Sequence, residues 1–289
     1  MKRAIILLGS IIALLFSLAC QAAPAVGSRE YKLMLNATLF NGARPFTQVD
    51  QYWAELQNLI QGAPISRNAG GLFSLTKQRI VKFYDTPSSC VLKAQGYTFR
   101  ERIENSQREV TLKFRSNDRF ISGYKNMQGN TGRSPVTKFE EDISAPFVSK
   151  YSHSTTQSIG QGKNLNKMND PIGLYSGLAT YNFNSNEPII LVSGLAVSEK
   201  VYKGPWVDLG NLNASFSLTL WYDSSSSMMP LVAEISFKYK ESKENYSDNV
   251  TNRALAVFEA MQSMSNWVSA SSLTKTAFVF AYVNPSFCL

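Results

Sequence analysis

The chain has 289 residues, 44% of them hydrophobic, a formal net charge of +8 and a single histidine. The 29 Lys and Arg against 21 Asp and Glu favour an anionic partner, yet they form no solid basic block of the kind that makes a nucleic-acid tail. His153 stands in a polar stretch with no cysteine near it, so a zinc cluster is not expected, and neither a Walker-type glycine loop nor a Gly-x-Ser-x-Gly elbow is present.

Lys2 and Arg3 precede an apolar run over 4–19 and small residues over 21–25, the layout of a secretory signal peptide. The run is short for a membrane span, which needs about 20 residues, so a retained anchor is the lesser alternative. Cleavage after Ala22 or Ala25 satisfies the small-x-small rule, giving a signal peptide over 1–22 and one domain over 23–289. Ser17-Leu18-Ala19-Cys20 is similar to a lipoprotein box, with Ser17 where an aliphatic residue is usual, so lipid anchoring through Cys20 is the alternative to a periplasmic or secreted product. Losing Lys2 and Arg3 lowers the charge from +8 to +6 and leaves a basic protein. Cys90 and Cys288 remain; in an oxidising compartment they can pair, and two separate buried thiols are the other reading.

Past the leader, polar and apolar residues alternate strictly in segment after segment. Glu30, Lys32 and Met34 share one face, with Tyr31, Leu33 and Leu35 on the other. An amphipathic helix follows over 47–60, with Val49, Trp53, Leu56 and Ile60 on one side. Strand patterns resume over 79–85. Over 97–104, Thr98, Arg100, Arg102 and Glu104 oppose Tyr97, Phe99, Glu101 and Ile103. Thr111, Lys113 and Arg115 oppose Val110, Leu112 and Phe114, and Lys138, Glu140 and Asp142 oppose Phe139, Glu141 and Ile143. The Ser-, Asn- and Gly-rich stretch over 145–187 reads as a long excursion between strands, with His153 as a loop histidine in water. Strands are expected again over 190–203, 214–223 and 234–239, where Glu234, Ser236 and Lys238 share a face. Residues 224–227 read as a hairpin turn, and Leu255, Phe258, Met261 and Val268 mark a helix over 248–268. The total of about eight strands suits a closed barrel, which leaves no exposed edge.

Alternating charge and apolar side chains can also describe an ordinary sheet with one face in water. The polar faces here carry long side chains of both signs, which also suits a charged interior. The run Phe83-Tyr84-Asp85-Thr86-Pro87, continuing to Tyr97-Thr98-Phe99-Arg100-Glu101-Arg102 and then to Thr111-Leu112-Lys113, resembles the signature of the CYTH, or triphosphate tunnel metalloenzyme, family. That signature is a Tyr-Asp-Thr-Pro turn, an Arg-x-Arg strand and a Thr-Leu-Lys strand in this order. The family's opening Glu-x-Glu-x-Lys is matched by Ser28-Arg29-Glu30-Tyr31-Lys32, its Arg-x-Glu-x-Glu by Lys138-Phe139-Glu140-Glu141-Asp142, and its final Glu-x-Glu by Glu234-Ile235-Ser236.

The resemblance implies a mainly β, closed antiparallel eight-stranded barrel with flanking helices and a polyanion in its bore. It implies phosphate binding by Lys32, Arg100, Arg102, Lys113, Arg115, Lys138 and Lys200 (or Lys203). Mg²⁺ or Mn²⁺ would be held by Glu30, Glu140, Asp142, Glu234 and Asp223, with Glu140 and Glu30 in the catalytic roles. Ser28 and Ser236 stand where the family has carboxylates, and hydroxyls are poorer metal ligands. Two functions follow: a metal-dependent phosphohydrolase of triphosphate, polyphosphate or another triphosphate compound outside the cytoplasm, or a non-catalytic barrel that binds a phosphate-rich anion. A third reading, an interaction protein with an ordinary hydrated sheet, would place Trp206, Trp221 and Tyr222 at an interface or in the core.

Overall fold

A computed structural model of the chain describes residues 22–130, 132, 134–270, 273–282 and 285–288. Residues 1–21 of the segment read as a signal peptide, Cys20 among them, lie outside the described residues.

Nine strands close on one another: β1 (Ser28–Leu35), β3 (Ser74–Asp85), β4 (Tyr97–Glu104), β5 (Gln107–Ser116), β6 (Val136–Ser144), β7 (Val148–Ile159), β8 (Ile190–Asp208), β9 (Asn213–Tyr222) and β10 (Val232–Lys240). Their order is β8-β3-β4-β5-β7-β6-β1-β10-β9, and β9 pairs again with β8 to close the ring. The two-residue β2 (Ala69–Gly70) adds to β8 from outside. All neighbours are antiparallel except β1 and β6, which run parallel, with Ser28 opposite Glu140 and Lys32 opposite Ser144. The barrel is therefore mixed and nine-stranded, not antiparallel and eight-stranded.

The additional strand is β7, which lies inside the segment read as an excursion. Its composition hid it: Ser152, Ser154 and Thr156 alternate with His153, Thr155 and Gln157, so neither face supplies an apolar period. Tertiary partners replace that signal. Tyr175 donates to the carbonyls of Val110 and Thr155, and Gln157 donates to that of Leu174. His153 is a buried strand residue, not a loop histidine, with Nδ1 3.2 Å from the Ser122 carbonyl. Burial lowers its pKa against the pull of that contact. The β6–β7 hairpin turns β7 into the place beside β5, so β6 ends up against β1, running the same way.

Outside the barrel, α1 (Pro45–Gln61) buries Val49, Trp53, Leu56 and Ile60, the stripe read from the sequence. It packs with α5 (Asp248–Ser263) over the apolar faces of β1, β9 and β10. α5 buries Phe258 and Met261, as its pattern requires, and stops at Ser263, short of the expected Val268. Short helices α2 (Val91–Ala94) and α3 (Arg119–Gly123) follow β3 and β5. The true excursion runs over 160–189 and carries α4 (Asn169–Leu174). Met168, Leu174, Tyr175 and Leu178 pack there on Tyr97, Phe99, Val110 and Leu112, the outer faces of β4 and β5. Both faces of the barrel wall are thus covered, one by helices and loops, the other by charge in the bore.

The chain ends in α6 (Lys275–Ala281), whose Val279 and Phe280 join Val81, Phe83 and Trp221 in a third apolar cluster. Cys288 is bonded to Cys90 across 5.3 Å between Cα atoms, 198 residues apart in sequence. Cross-linking so long a loop restricts the unfolded chain strongly. Cys288→Ser is expected to lower unfolding stability by about 2–5 kcal/mol. Denaturant titration of the oxidised protein and the variant checks this, and equal midpoints would refute it.

Candidate functional site

Period-two alternation sends every second residue of the barrel strands into the bore. The bore holds a cavity of about 520 Å³. Among the described residues, twelve Lys and Arg side chains line it against five carboxylates, Glu30, Glu140, Asp142, Glu199 and Glu234. The excess of positive charge is the first property of the site.

Each of these carboxylates is already engaged by cations of the protein. Asp142 takes Lys32 at 2.6 Å, Lys113 at 2.9 Å and Arg115 at 2.8 Å. Burial would push its carboxyl up; Lys113, Lys32 and Arg115 outweigh that and hold it well below its ordinary value. Lys238 bridges Glu140 at 2.8 Å and Glu30 at 3.2 Å. Glu30 is half-buried; burial pushes its carboxyl up, and Lys32 and Lys238 outweigh that and hold it far down. Ser28, which stands where a third carboxylate was expected, donates to Glu140 at 2.9 Å. Glu199 pairs with Arg79, lies 3.9 Å from Arg102 and accepts from Trp221 Nε1 at 2.7 Å. Glu234 is paired at 2.8 Å with Lys275, which arrives from α6.

The remaining positive charge is poorly compensated. Arg100 reaches Thr111 Oγ1 at a long 3.4 Å, and the Nε atoms of Arg100, Arg102 and Arg115 are buried without a hydrogen-bond partner among the described residues. Burial, with Arg102 nearby, drives the Arg100 pKa well below that of a free guanidinium. Burial similarly lowers Arg102 to about 10 despite the opposing pull of Glu199. A buried donor left unpaired costs about 1–3 kcal/mol, which a bound anion would relieve.

Lys113 is the group most sensitive to such an anion. Burial lowers its pKa to about 7; Asp142 opposes the shift while Arg115 and Lys32 add to it. Without anion it is largely neutral at pH 8, and a bound polyanion would restore its charge. Binding of triphosphate at pH 8 is therefore expected to take up close to one proton, and affinity to fall as pH rises above about 7. Calorimetry in two buffers of different ionisation heat measures the uptake, and Lys113→Met should remove it; no uptake in the native protein would refute the assignment.

Of the residues proposed from the sequence, Glu30, Lys32, Arg100, Arg102, Lys113, Arg115, Lys138, Glu140, Asp142 and Glu234 share this bore. Lys200 and Asp223 lie elsewhere. Lys200 sits on the opposite face of β8, its ammonium 4.8 Å above the Tyr222 ring, while Lys203 faces the bore. Asp223 is exposed beside the β9–β10 turn, accepting from Ser227. Since a strand alternates with period two, choosing Lys200 over Lys203 selects the wrong face. Arg79, Glu199 and Lys275 also line the bore; Glu199, Val201 and Lys203 alternate in the sequence, but Lys275 lies outside any strand and gives no such signal.

The carboxylates do not fit a divalent ion as they are arranged. Among the described residues no three acidic, His or Cys side chains are grouped to hold one. A metal at Glu30, Glu140 and Asp142 would have to displace Lys32, Lys113, Arg115 and Lys238 from the same oxygens. The ammonium and guanidinium groups already supply the positive charge.

The Tyr-Asp-Thr-Pro turn is a scaffold outside the cavity. Buried Asp85 accepts from the backbone N–H of Thr86 at 2.9 Å, Leu92 at 3.1 Å and Lys93 at 2.9 Å, and Thr86 Oγ1 accepts from Val91 at 3.0 Å. These bonds tie the end of β3 to α2 and set the start of β4, from which Arg100 and Arg102 project.

No protein-family model matches the sequence, and no curated protein matches it. Solved structures similar to the chain at low identity include the following three. A candidate adenylate cyclase from Bacillus halodurans aligns over 89% of this chain and 99% of its own, at 9% identity and a TM-score of 0.39. A candidate adenylyl cyclase from Hippeastrum with a dominant triphosphatase activity aligns over 88% and 95%, at 12% identity and 0.39. A protein from Pyrococcus horikoshii aligns over 87% and 97%, at 14% identity and 0.37. The closure of the barrel rests on the chain's own strand register.

Proposed function

We propose that this protein binds a phosphate-rich anion, such as triphosphate or polyphosphate, inside its barrel and without a resident metal ion. The observation that carries this reading is the bore's charge: among the described residues, twelve cations to five carboxylates, with three buried guanidinium Nε atoms left unpartnered. Guanidinium and ammonium groups are the side chains suited to phosphate oxygens, Arg bidentately. A cleft of one sign with low-dielectric walls focuses the field on such a ligand.

Hydrolysis is the second reading, favoured by the gathering of Glu30, Glu140, Asp142 and Glu234 in one bore. It asks the lysines to yield to metal when substrate binds, and the ion pairs within 3.2 Å weigh against that. The site would then lie in an exported protein: the charged and apolar start of the chain and the Cys90–Cys288 disulfide support an oxidising compartment.

Calorimetric titration of the mature protein with triphosphate, in chelator and then in Mn²⁺, with released phosphate assayed in parallel, tests both readings. Binding in chelator that weakens with salt, without phosphate release, is the expected result. Release that requires Mn²⁺ would replace it with the hydrolase reading, and no binding under either condition would end both.

A further inference from the structure

At the end of the bore where β3 begins and β8 finishes, apolar side chains stand in solvent. Leu72 is 77% exposed, the most of any large apolar side chain among the described residues, and Phe46, Leu75 and Trp206 are exposed as well. Backbone pairing makes them neighbours. β3 and β8 set Leu75 opposite Tyr202 and Ser74 opposite Lys203, and the Phe46 ring lies 6.3 Å from that of Tyr202. β2 sets Gly70 opposite Trp206, and a Cβ at Gly70 would come within 3.1 Å of the indole. Gly204, at φ +139°, lets β8 approach the Leu72 carbonyl, which a Cβ there would strike. The 70–75 segment is thus held against 202–206 by close backbone contact, with its two leucines left outside.

Burying such side chains is favourable, so a contiguous uncovered apolar patch marks a contact surface. The charge beside it says what kind of contact. Lys203 is exposed and lines the bore; Arg44, also exposed, stands two residues before Phe46. Neither makes an ion pair among the described residues. Two carboxylates at the ends of the same barrel strands are already taken: Glu104 by Lys77 at 3.0 Å and Asp208 by Arg67 at 2.6 Å. Asp50, one turn along α1 from Phe46, is a carboxylate set against these cations. A second copy of the chain docked face to face here would bring Lys203 and Arg44 against their own kind.

We infer that this rim docks on an anionic phospholipid surface, with Phe46, Leu72, Leu75 and Trp206 entering the headgroup layer while Arg44 and Lys203 meet lipid phosphates. Such a surface is apolar and phosphate-bearing at once, and so satisfies both halves of the rim. Leucine and an indole suit the boundary between headgroups and acyl chains, and basic side chains beside them suit its charge. The bore then opens toward the membrane, since Lys203 and Lys77 belong to both the rim and the lining. The inference rests on the anion-binding reading for what the bore takes up, and adds where the anion is met: as a phosphate group at a membrane surface.

The experiment is cosedimentation of the oxidised mature chain with vesicles of phosphatidylcholine, alone or mixed with phosphatidylglycerol, beside calorimetric titration with triphosphate. The native protein should partition onto the mixed vesicles and be released by salt. Leu72→Asp should weaken that partitioning at least about tenfold and leave triphosphate affinity within about threefold, because Leu72 lies outside the bore lining. Vesicles brominated on their acyl chains should quench tryptophan emission, and Trp206→Phe should remove the quenching, since Trp53, Trp221 and Trp267 are buried. Triphosphate binding without partitioning, equal partitioning onto neutral vesicles, or a Leu72→Asp protein that partitions like the native one would overturn the docking and leave the anion reading standing. Partitioning by a protein that does not bind triphosphate would instead keep the docking and strike the anion reading, so the two failures are told apart.

Discussion

Replacing Arg100 and Arg102 together with alanine is expected to weaken triphosphate binding by roughly 10²–10⁴-fold, because a hydrogen bond to a charged group contributes about 1.5–3 kcal/mol. Both side chains project from β4 into the bore, and both carry a buried Nε with no partner among the described residues. Their present contacts within the protein are weak: 3.4 Å from Arg100 to Thr111 and 3.9 Å from Arg102 to Glu199. Glu199 keeps Arg79 and the Trp221 indole after both are gone, so the fold should survive the change. Removing this charge should even raise stability slightly, since burial depresses both guanidinium groups, with Arg102 adding to the effect on Arg100 and Arg79 to that on Arg102. Lys200→Ala is the control, because Lys200 lies over Tyr222 on the other face of β8. Titration of the three proteins decides the matter. A double variant that binds within about threefold of the native protein, a difference of under ~1 kcal/mol, would place the ligand elsewhere.

Asp142→Asn should have the opposite signature: lost stability and retained or tighter anion binding. The carboxylate is 7% exposed and holds Lys32, Lys113 and Arg115 at 2.6–2.9 Å. Taking one partner from a buried ionic cluster typically costs about 3–5 kcal/mol, since the charges left behind are uncompensated. The pH dependence follows from the direction of the shift. The Asp142 carboxyl lies well below its ordinary value of 3.8 in the folded protein. Its contribution is therefore complete above that value and is lost as the pH falls through the folded pKa. The stability gap between native protein and variant should be flat above about pH 8, widen as Lys113 takes up its proton near pH 7 beside Asp142 in the native protein only, and close in strong acid as the carboxylate is protonated. Triphosphate can replace the missing negative charge, so it should stabilise the variant more than the native protein. Urea denaturation with and without triphosphate measures both effects. A variant as stable as the native protein in the absence of anion would show that Asp142 is not the counter-ion of this cluster.

These two changes separate what the site does from what holds it together. The lysines, arginines and carboxylates of the bore form one charge network, and its negative members are all internally paired among the described residues. Its unsatisfied groups are positive. That asymmetry explains why Ser28 and Ser236 are compatible with the fold: Ser28 donates to Glu140 and Ser236 faces the bore, and neither adds the further negative charge a metal would require.

The sequence by itself determined which faces of most strands carry charge. Period two is a local property, so Glu30 with Lys32, Arg100 with Arg102, Lys113 with Arg115, and Glu140 with Asp142 could be assigned to common faces without knowing any partner strand. The stripe of α1 was legible for the same reason, at period 3.6. Where the local signal faded, the reading failed. β7 has Ser and Thr on one face and a covered, hydrogen-bonded other face, so nothing in its composition marks a strand. Lys200 and Lys203 both stand next to alternating residues, and only the β8–β9 register tells which one enters the bore.

Strand order, the parallel β1–β6 pair, the pairing of each carboxylate with its cations and the arrival of Lys275 were decided by tertiary structure alone. Between elements, the charge pairs of the bore join residues from 27 positions apart (Arg115–Asp142) to 208 (Glu30–Lys238), whose proximity depends on barrel closure and on the energy of burying charge only in pairs. The Cys90–Cys288 bond belongs to this class as well: three cysteines can be counted in the sequence, but the Cα atoms of Cys90 and Cys288 come within 5.3 Å only once α6 has packed on the barrel.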